Sequence, residues 1–540
     1  METPILKRIS KGEMKGWVRG EVLDSLPVAF FDDPISSVRE MGGEVIKESI
    51  WRWAAIFCFP NGSRIFLKRD RTKGWAEYLK YLFSPTKGQK EFFIASQLER
   101  RNLNIPKPLG WMERVRRGLV RESYYLSEAI GTGVSFIEEV AKSKEPHSII
   151  ELAMTVRKFQ DAGLFHRDLH GGNFLWDGDS LFLTDLHRTK IVKFLSLNQR
   201  LWNFAHLFHS LRTTWGEREQ LQFLDRYFEG MSDGSKKREI LFQRIYPTMD
   251  RLRKRQWRSR TKRCLKESTE FRVQKEKGIC YFHRRDFPLD RLKRVMEEHQ
   301  ALVRERSSSL VKYSPEVIVS ILNNEGERIG IKQFCHPHFW GRVKEYFRRS
   351  KGLKAWIAAN GMRVRGIPSL KPLALVEKKD RIGLRESFLF MEAPAEDQEM
   401  DRYILEGFEG LNRKRFFIKT FARWLDGLHK MSLYHRDMKT CNILVSEKEE
   451  TWDFHLLDFE DIRMGEKVNQ KKLFRNFLQL NTSTPNVMTK VDRFRFFREY
   501  LRLNPIIKDE KSFLQGLIDE SRRRGLVYVS HQGVVTERLG

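Results

Sequence analysis

A chain of 540 residues is too long for one hydrophobic core, so two or three domains are expected, and 40% hydrophobic content with 39 Phe excludes a disordered chain. The 100 Lys+Arg against 71 Asp+Glu leave a net charge of +29, which favours polyanionic partners: nucleic acid, an anionic membrane face or a phosphorylated glycolipid. Five cysteines without metal-ligand spacing read as reduced thiols, no stretch approaches the ~18 apolar residues of a spanning helix, and Met1-Glu2-Thr3-Pro4 opens no signal-peptide pattern, so a cytoplasmic protein is expected.

In chain order, Val45–Ser49 and Trp51–Phe59 read as adjacent strands, and Pro60-Asn61-Gly62 as a turn into a third strand, Arg64–Lys68. A helix pattern carrying Lys90-Glu91 follows, then the segment Asn104–Leu109. Ile149, Leu152, Val156 and Phe159 recur at spacings of three and four, which predicts an amphipathic helix whose apolar face is core. Behind it comes His166-Arg167-Asp168 with Asn173, and then an apolar strand ending at Asp185. The run Arg251–Arg263 holds eight basic residues and no acid, which suits either lipid or phosphate contact or a solvated helical face. A hairpin-like stretch, Glu270–Phe282, turns at Lys275-Glu276-Lys277-Gly278.

From there the pattern starts again. Val317–Leu322, the turn Asn323–Gly326 and Arg328–Lys332 repeat the strands, and Gly366–Leu373 answers to Asn104–Leu109. Phe417, Phe421, Trp424 and Leu428 repeat the helix, His435-Arg436-Asp437 with Asn442 the loop, and Leu456-Leu457-Asp458 the strand end. Landmarks in the same order at a nearly constant offset, 264 residues between the lysines and 269 between the loop aspartates, indicate a duplicated domain. The boundary is placed near residue 264, giving domains 1–263 and 264–540, the first with a short N-terminal extension and a basic C-terminal helix.

Phosphoryl transfer from ATP needs a cation on the phosphates, oxygen ligands for Mg²⁺ and a carboxylate that orients the attacking hydroxyl. In the first copy Lys68 ends a strand and is expected to hold the α/β-phosphates, with Glu91 fixing the lysine. Asp168 is the candidate base, and Asn173 and Asp185 are the candidate Mg²⁺ ligands. The Asp-to-Asn spacing of five matches the kinase catalytic loop. Lys332, Asp437, Asn442 and Asp458 repeat the set in the second copy. Aligning Gly88–Phe92 with Gly352–Trp356, however, puts Ala355 where the glutamate belongs. Two readings of that copy follow: activity with another lysine partner, or weak nucleotide binding in a copy that mainly presents the acceptor.

Several features depart from typical protein kinases. No glycine-rich loop precedes either lysine; compact Lys-x-Ser turns, Lys47-Glu48-Ser49 and Lys312-Tyr313-Ser314, stand there instead. Neither strand-end aspartate is followed by Phe-Gly, and no Ala-Pro-Glu anchor follows. With Lys68, Glu91, the two His-Arg-Asp loops and the strand-end aspartates, the chain resembles the bacterial lipopolysaccharide-core (Kdo and heptose) kinase family in tandem duplication. The resemblance implies an α+β fold of two bilobal protein-kinase-like domains, each with a small antiparallel β N-lobe and a mainly helical C-lobe. It implies ATP and Mg²⁺ as cofactors, and a sugar hydroxyl of the lipopolysaccharide inner core as acceptor. The work would be done at the cytoplasmic face of the inner membrane, in contact with the anionic surface and with no nucleic-acid partner. The alternatives are a protein Ser/Thr kinase and a non-catalytic pair of pseudokinase domains acting as a basic scaffold.

Overall fold

The computed structural model of the chain describes residues 5–131, 133–142, 146–336, 349–380, 383–393 and 398–539. The chain divides into two compact units, Met1–Arg253 and Lys254–Gly540, and the division falls within the helix Gly234–Thr261 that carries most of the basic run. Each unit is α+β, with a seven-stranded antiparallel sheet followed by a mainly helical lobe, as expected for kinase-like domains.

The first sheet comprises β1 (Leu6–Lys11), β2 (Met14–Arg19), β3 (Glu44–Glu48), β4 (Arg52–Cys58), β5 (Arg64–Arg71), β6 (Pro108–Arg116) and β7 (Leu119–Glu128). They pair in the order β1-β2-β6-β7-β5-β4-β3. Alternation along β5 sends Ile65 and Leu67 to one face, where Phe30, Phe31 and Val38 cover them. Lys68 is left on the opposite face, towards the helix Lys87–Glu99. That helix lies hard against the sheet, since a Cβ on Gly88 would come within 2.4 Å of the Tyr124 carbonyl oxygen.

The second sheet has the same connectivity, in the order Phe271–Glu276, Ile279–Arg284, Pro372–Lys379, Leu384–Glu392, Glu327–Cys335, Val317–Asn324, Leu310–Tyr313. Its first hairpin turns at Lys277 (φ 41°) and Gly278 (φ 83°), two successive left-handed residues that suit the twist of a tight hairpin. Here the helix Leu289–Glu305 covers the outer face through Leu292, Val295 and Met296, and the helix Lys351–Val364 covers the inner face through Trp356 and Ala359. In both units a hairpin opens the sheet, so residues 6–19 hold the place that 271–284 hold in the second.

The amphipathic helices read from the sequence are Pro146–Asp161 and Gly410–Lys430. They bury Leu152, Val156 and Phe159 in one lobe, and Phe417, Phe421 and Leu428 in the other. Each ends just before the short strand of a His-Arg-Asp loop, Leu164–His166 or Leu433–His435.

Candidate active site

In the first unit the Lys68 ammonium lies 3.0 Å from Glu91 Oε2 and 2.5 Å from Asp185 Oδ1. Burial alone would lower the lysine's pKa, but the Glu91 and Asp185 carboxylates outweigh it and hold it above the usual value. Asp185 stays ionised because Lys68 and His187 offset its burial; His187 Nδ1 is 2.8 Å away. Asp185 adopts a left-handed backbone (φ 59°), as does Asp458 in the second unit (φ 48°), a strain typical of functional sites. The predicted Lys-x-Ser turn is closed by its serine. Ser49 N and Oγ both donate to the Arg52 carbonyl, and Ser49 Oγ accepts from Arg52 N.

The catalytic loop is held from below. His166 Nδ1 accepts from Asp168 N (3.1 Å), and Asn173 Nδ2 donates to the Asp168 carbonyl (2.9 Å). Asn203 donates to the His166 carbonyl and Ser210 Oγ accepts from Gly171 N. The Asp168 carboxylate lies 3.5 Å from His206 Nδ1 and is ion-paired with Arg188. The His206 hydrogen bond and the charges of Arg188 and His170 hold it well below the usual carboxylate range, so it is ionised.

The second unit repeats the scaffold of the loop and exchanges the partners of its aspartate and lysine. Ser314 closes its turn on Val317, Asp437 N donates to His435 Nδ1 (3.2 Å), and Asn442 Nδ2 donates to the Asp437 carbonyl (2.8 Å). Asn476 donates to the His435 carbonyl (2.7 Å), and Ser483 Oγ accepts from Thr440 N (2.9 Å). Asp437 Oδ1 is flanked by Lys439 (3.1 Å) and Gln479 (3.3 Å). The helix caps agree too: Thr86 and Ser350 each cap their helix and donate to a carboxylate, Glu113 (2.5 Å) or Glu377 (2.6 Å). By that register Ala355 occupies the place of Glu91. The missing carboxylate comes from elsewhere. Lys332 Nζ lies 2.5 Å from Asp458 Oδ1 and 2.7 Å from Glu460 Oε1, and Glu460 holds the position that His187 holds in the first unit. Burial would lower the Lys332 pKa; Glu460 and Asp458 raise it above its ordinary value.

The model of the lipopolysaccharide kinase (Kdo/WaaP) family matches residues 38–227 and 346–500, most of both units. The chain belongs to this family. As a member it is an ATP-dependent kinase. Among solved structures it is similar to WaaP in complex with acyl carrier protein, at 17% identity over 43% of this chain and 95% of that one, with a TM-score of 0.34. It is also similar to a Stt7 homolog from Micromonas algae soaked with ATP (13% identity, 28% of this chain and 50% of that one, TM-score 0.22). A third is the MAP kinase LmaMPK10 from Leishmania major (13%, 36% and 65%, TM-score 0.24). Among curated proteins none matches the chain.

For a lipopolysaccharide kinase the fit of Mg²⁺ is a question of donor atoms. Backbone bonds from Thr184 N to the Asn173 carbonyl (2.8 Å) and from Leu457 N to the Asn442 carbonyl (2.9 Å) set each asparagine beside a strand-end aspartate. Each asparagine amide nitrogen is spent on the loop carbonyl, which leaves the amide oxygen and the aspartate carboxylate as hard oxygen donors. The set fits Mg²⁺. In the nearby trio Glu91, Asp185 and His187, the Lys68 ammonium sits on Glu91 and, with His187, on Asp185 Oδ1, so Mg²⁺ at Asp185 would take its other carboxylate oxygen, Oδ2.

The structure brings together every residue singled out in the sequence, Lys68, Glu91, Asp168, Asn173 and Asp185 in one unit and Lys332, Asp437, Asn442 and Asp458 in the other. Sequence reasoning missed Glu460, His206, Arg188 and Gln479, and the loop supports Asn203 and Asn476. One signal was present: Asn203 and Asn476, Ser210 and Ser483, and Tyr227 and Tyr500 all recur at an offset of 273.

Proposed function

We propose that both units transfer the γ-phosphoryl group of Mg-ATP to sugar hydroxyls (Kdo or heptose) of the lipopolysaccharide inner core. The observation that carries this is the twice-built lysine–aspartate contact, Lys68–Asp185 and Lys332–Asp458, each beside an asparagine five residues after an aspartate. Lys68 and Lys332 hold the phosphates, and Glu91 and Glu460 fix the two lysines. Asn173 with Asp185, and Asn442 with Asp458, hold Mg²⁺, which when bound neutralises phosphate oxygens. Asp168 and Asp437 orient the acceptor hydroxyl and take its proton. Each domain of the duplication, 1–263 and 264–540, acts as one such kinase, and a net charge of +29 suits an anionic glycolipid at the cytoplasmic face of the inner membrane. Among the described residues no helix is long and apolar enough to cross a membrane.

Transfer from γ-labelled ATP to purified lipopolysaccharide of defined core tests this. Asp168→Ala and Asp437→Ala are each expected to remove one share of the label, and the double variant to lose about 10²- to 10⁴-fold. Label on protein and never on glycolipid would overturn the acceptor.

A further inference from the structure

The nine-residue helix Trp75–Phe83, which joins β5 to the Glu91 helix, buries none of its residues. Trp75 is 75% exposed, Leu79 57%, Leu82 54% and Phe83 90%. At 3.6 residues per turn these four side chains share one arc of about 100°. The side turned to the protein is the polar one. Glu77 accepts from Lys73 N (2.7 Å) and pairs with Lys87 (3.2 Å), and Tyr78 accepts from Arg121 (2.8 Å). This inverts the usual arrangement of a surface helix, which turns its apolar stripe inward.

The apolar surface extends to the turn before β4, where Ile50 (52%) and Trp51 (40%) are also exposed. Lys73 Nζ lies 5.9 Å from the Trp51 ring, and Arg71 N donates to the Trp51 carbonyl (2.9 Å). Around the helix the exposed charges are cationic, Arg71, Lys73 and Lys80, while Glu77 is drawn inward by Lys87 and the exposed Glu48 near Ile50 is paired with Arg39. Apolar rings with a basic rim match the boundary layer of an anionic bilayer, where acyl chains meet negative headgroups. Arg52, next to Trp51, lies 3.2 Å from His187 Nε2, so the patch borders the catalytic cluster.

We propose that the helix Trp75–Phe83, with Ile50 and Trp51, is an interfacial anchor that seats the first unit on an anionic lipid bilayer. Resting on the glycolipid reading above, it turns the cleft of that unit towards a membrane-embedded acceptor. Flotation of the full chain with vesicles tests it, because vesicle binding needs neither ATP nor a sugar acceptor. Failure of the kinase reading would leave this result intact, and the reverse holds too. The chain is expected to float with phosphatidylglycerol–phosphatidylethanolamine vesicles, and at least tenfold less with phosphatidylcholine alone. The combined variant Trp75→Ser, Leu79→Ser, Phe83→Ser is expected to lose at least tenfold of the anionic binding with an unchanged melting temperature. Lys73→Glu with Lys80→Glu is expected to weaken anionic binding alone. Equal flotation of the serine variant, or no flotation of the natural chain, overturns the proposal. So does conversion of a dimer to a monomer by the serine variant in size-exclusion, which would assign the face to a second copy.

Discussion

The two units solve the same problems with exchanged residues. In the first, a glutamate on the helix, Glu91, holds Lys68, and a histidine follows the strand-end aspartate. In the second the helix offers Ala355, and the carboxylate has moved to Glu460, where the histidine stood. A second exchange lies beneath the catalytic loops. Gly163 (φ 82°) accepts from Val192 N, and a Cβ there would come within 2.0 Å of the Val192 carbonyl. At the matching bridge Ser432 (φ 57°) accepts from Gly465 N, and the glycine now sits on the other side. A third replaces Gln160 by His429, each joined to an asparagine and a tyrosine: Asn203 and Tyr227, or Asn476 and Tyr500. A physical requirement at a site persists while the residue that meets it changes place: the lysine of the second unit keeps a second carboxylate although the helix glutamate is gone.

The largest expected effect concerns acid. Burial lowers His429 from its ordinary 6.5 to about 4, and lowers His166 in the first unit likewise to about 4. The unfolded chain therefore takes up these protons first. The stabilisation is whole above about pH 6.5, falls as the pH drops, and is lost by about pH 4, at a cost of about 3 kcal/mol for each histidine. Thermal melts from pH 7 to 4 are expected to show this for both units, and His429→Gln, which installs the first unit's residue, to reduce the acid sensitivity of the second alone. An unchanged pH slope would break the comparison. Next, Gly163→Ser is expected to destabilise the first unit by about 2 kcal/mol in denaturant titration, because its Cβ would meet the Val192 carbonyl oxygen. In an Asp168→Ala background, which isolates the second unit, Glu460→Ala is expected to slow transfer about tenfold by loosening Lys332. Adding Ala355→Glu is expected to recover part of that loss. Smallest of all, Ser432→Gly relieves a left-handed serine and is expected to change stability by less than about 1 kcal/mol.

Much of this was legible in the sequence because it is local or repeated. The strands around Lys68 and Lys332, the amphipathic helices and the Asp-to-Asn spacing each follow from a short pattern, and duplication doubled every signal. Glu460 was not legible as a lysine partner, since 128 residues separate it from Lys332 and only the fold joins them. His206 and Gln479 were missed for the same reason: helices that pack late in the chain bring them under the loops. The opening hairpin of the first unit carries little apolar alternation in Leu6–Lys11, where only Ile9 is buried, so periodicity gave no strand there.

Both units are expected to hold nucleotide despite their different lysine partners. Calorimetric titration of the full chain with a non-hydrolysable ATP analogue and Mg²⁺ tests it most directly. Two sites per chain are expected, with Lys68→Ala and Lys332→Ala each removing one. A single site in the natural chain, abolished by Lys68→Ala and indifferent to Lys332→Ala, would contradict it.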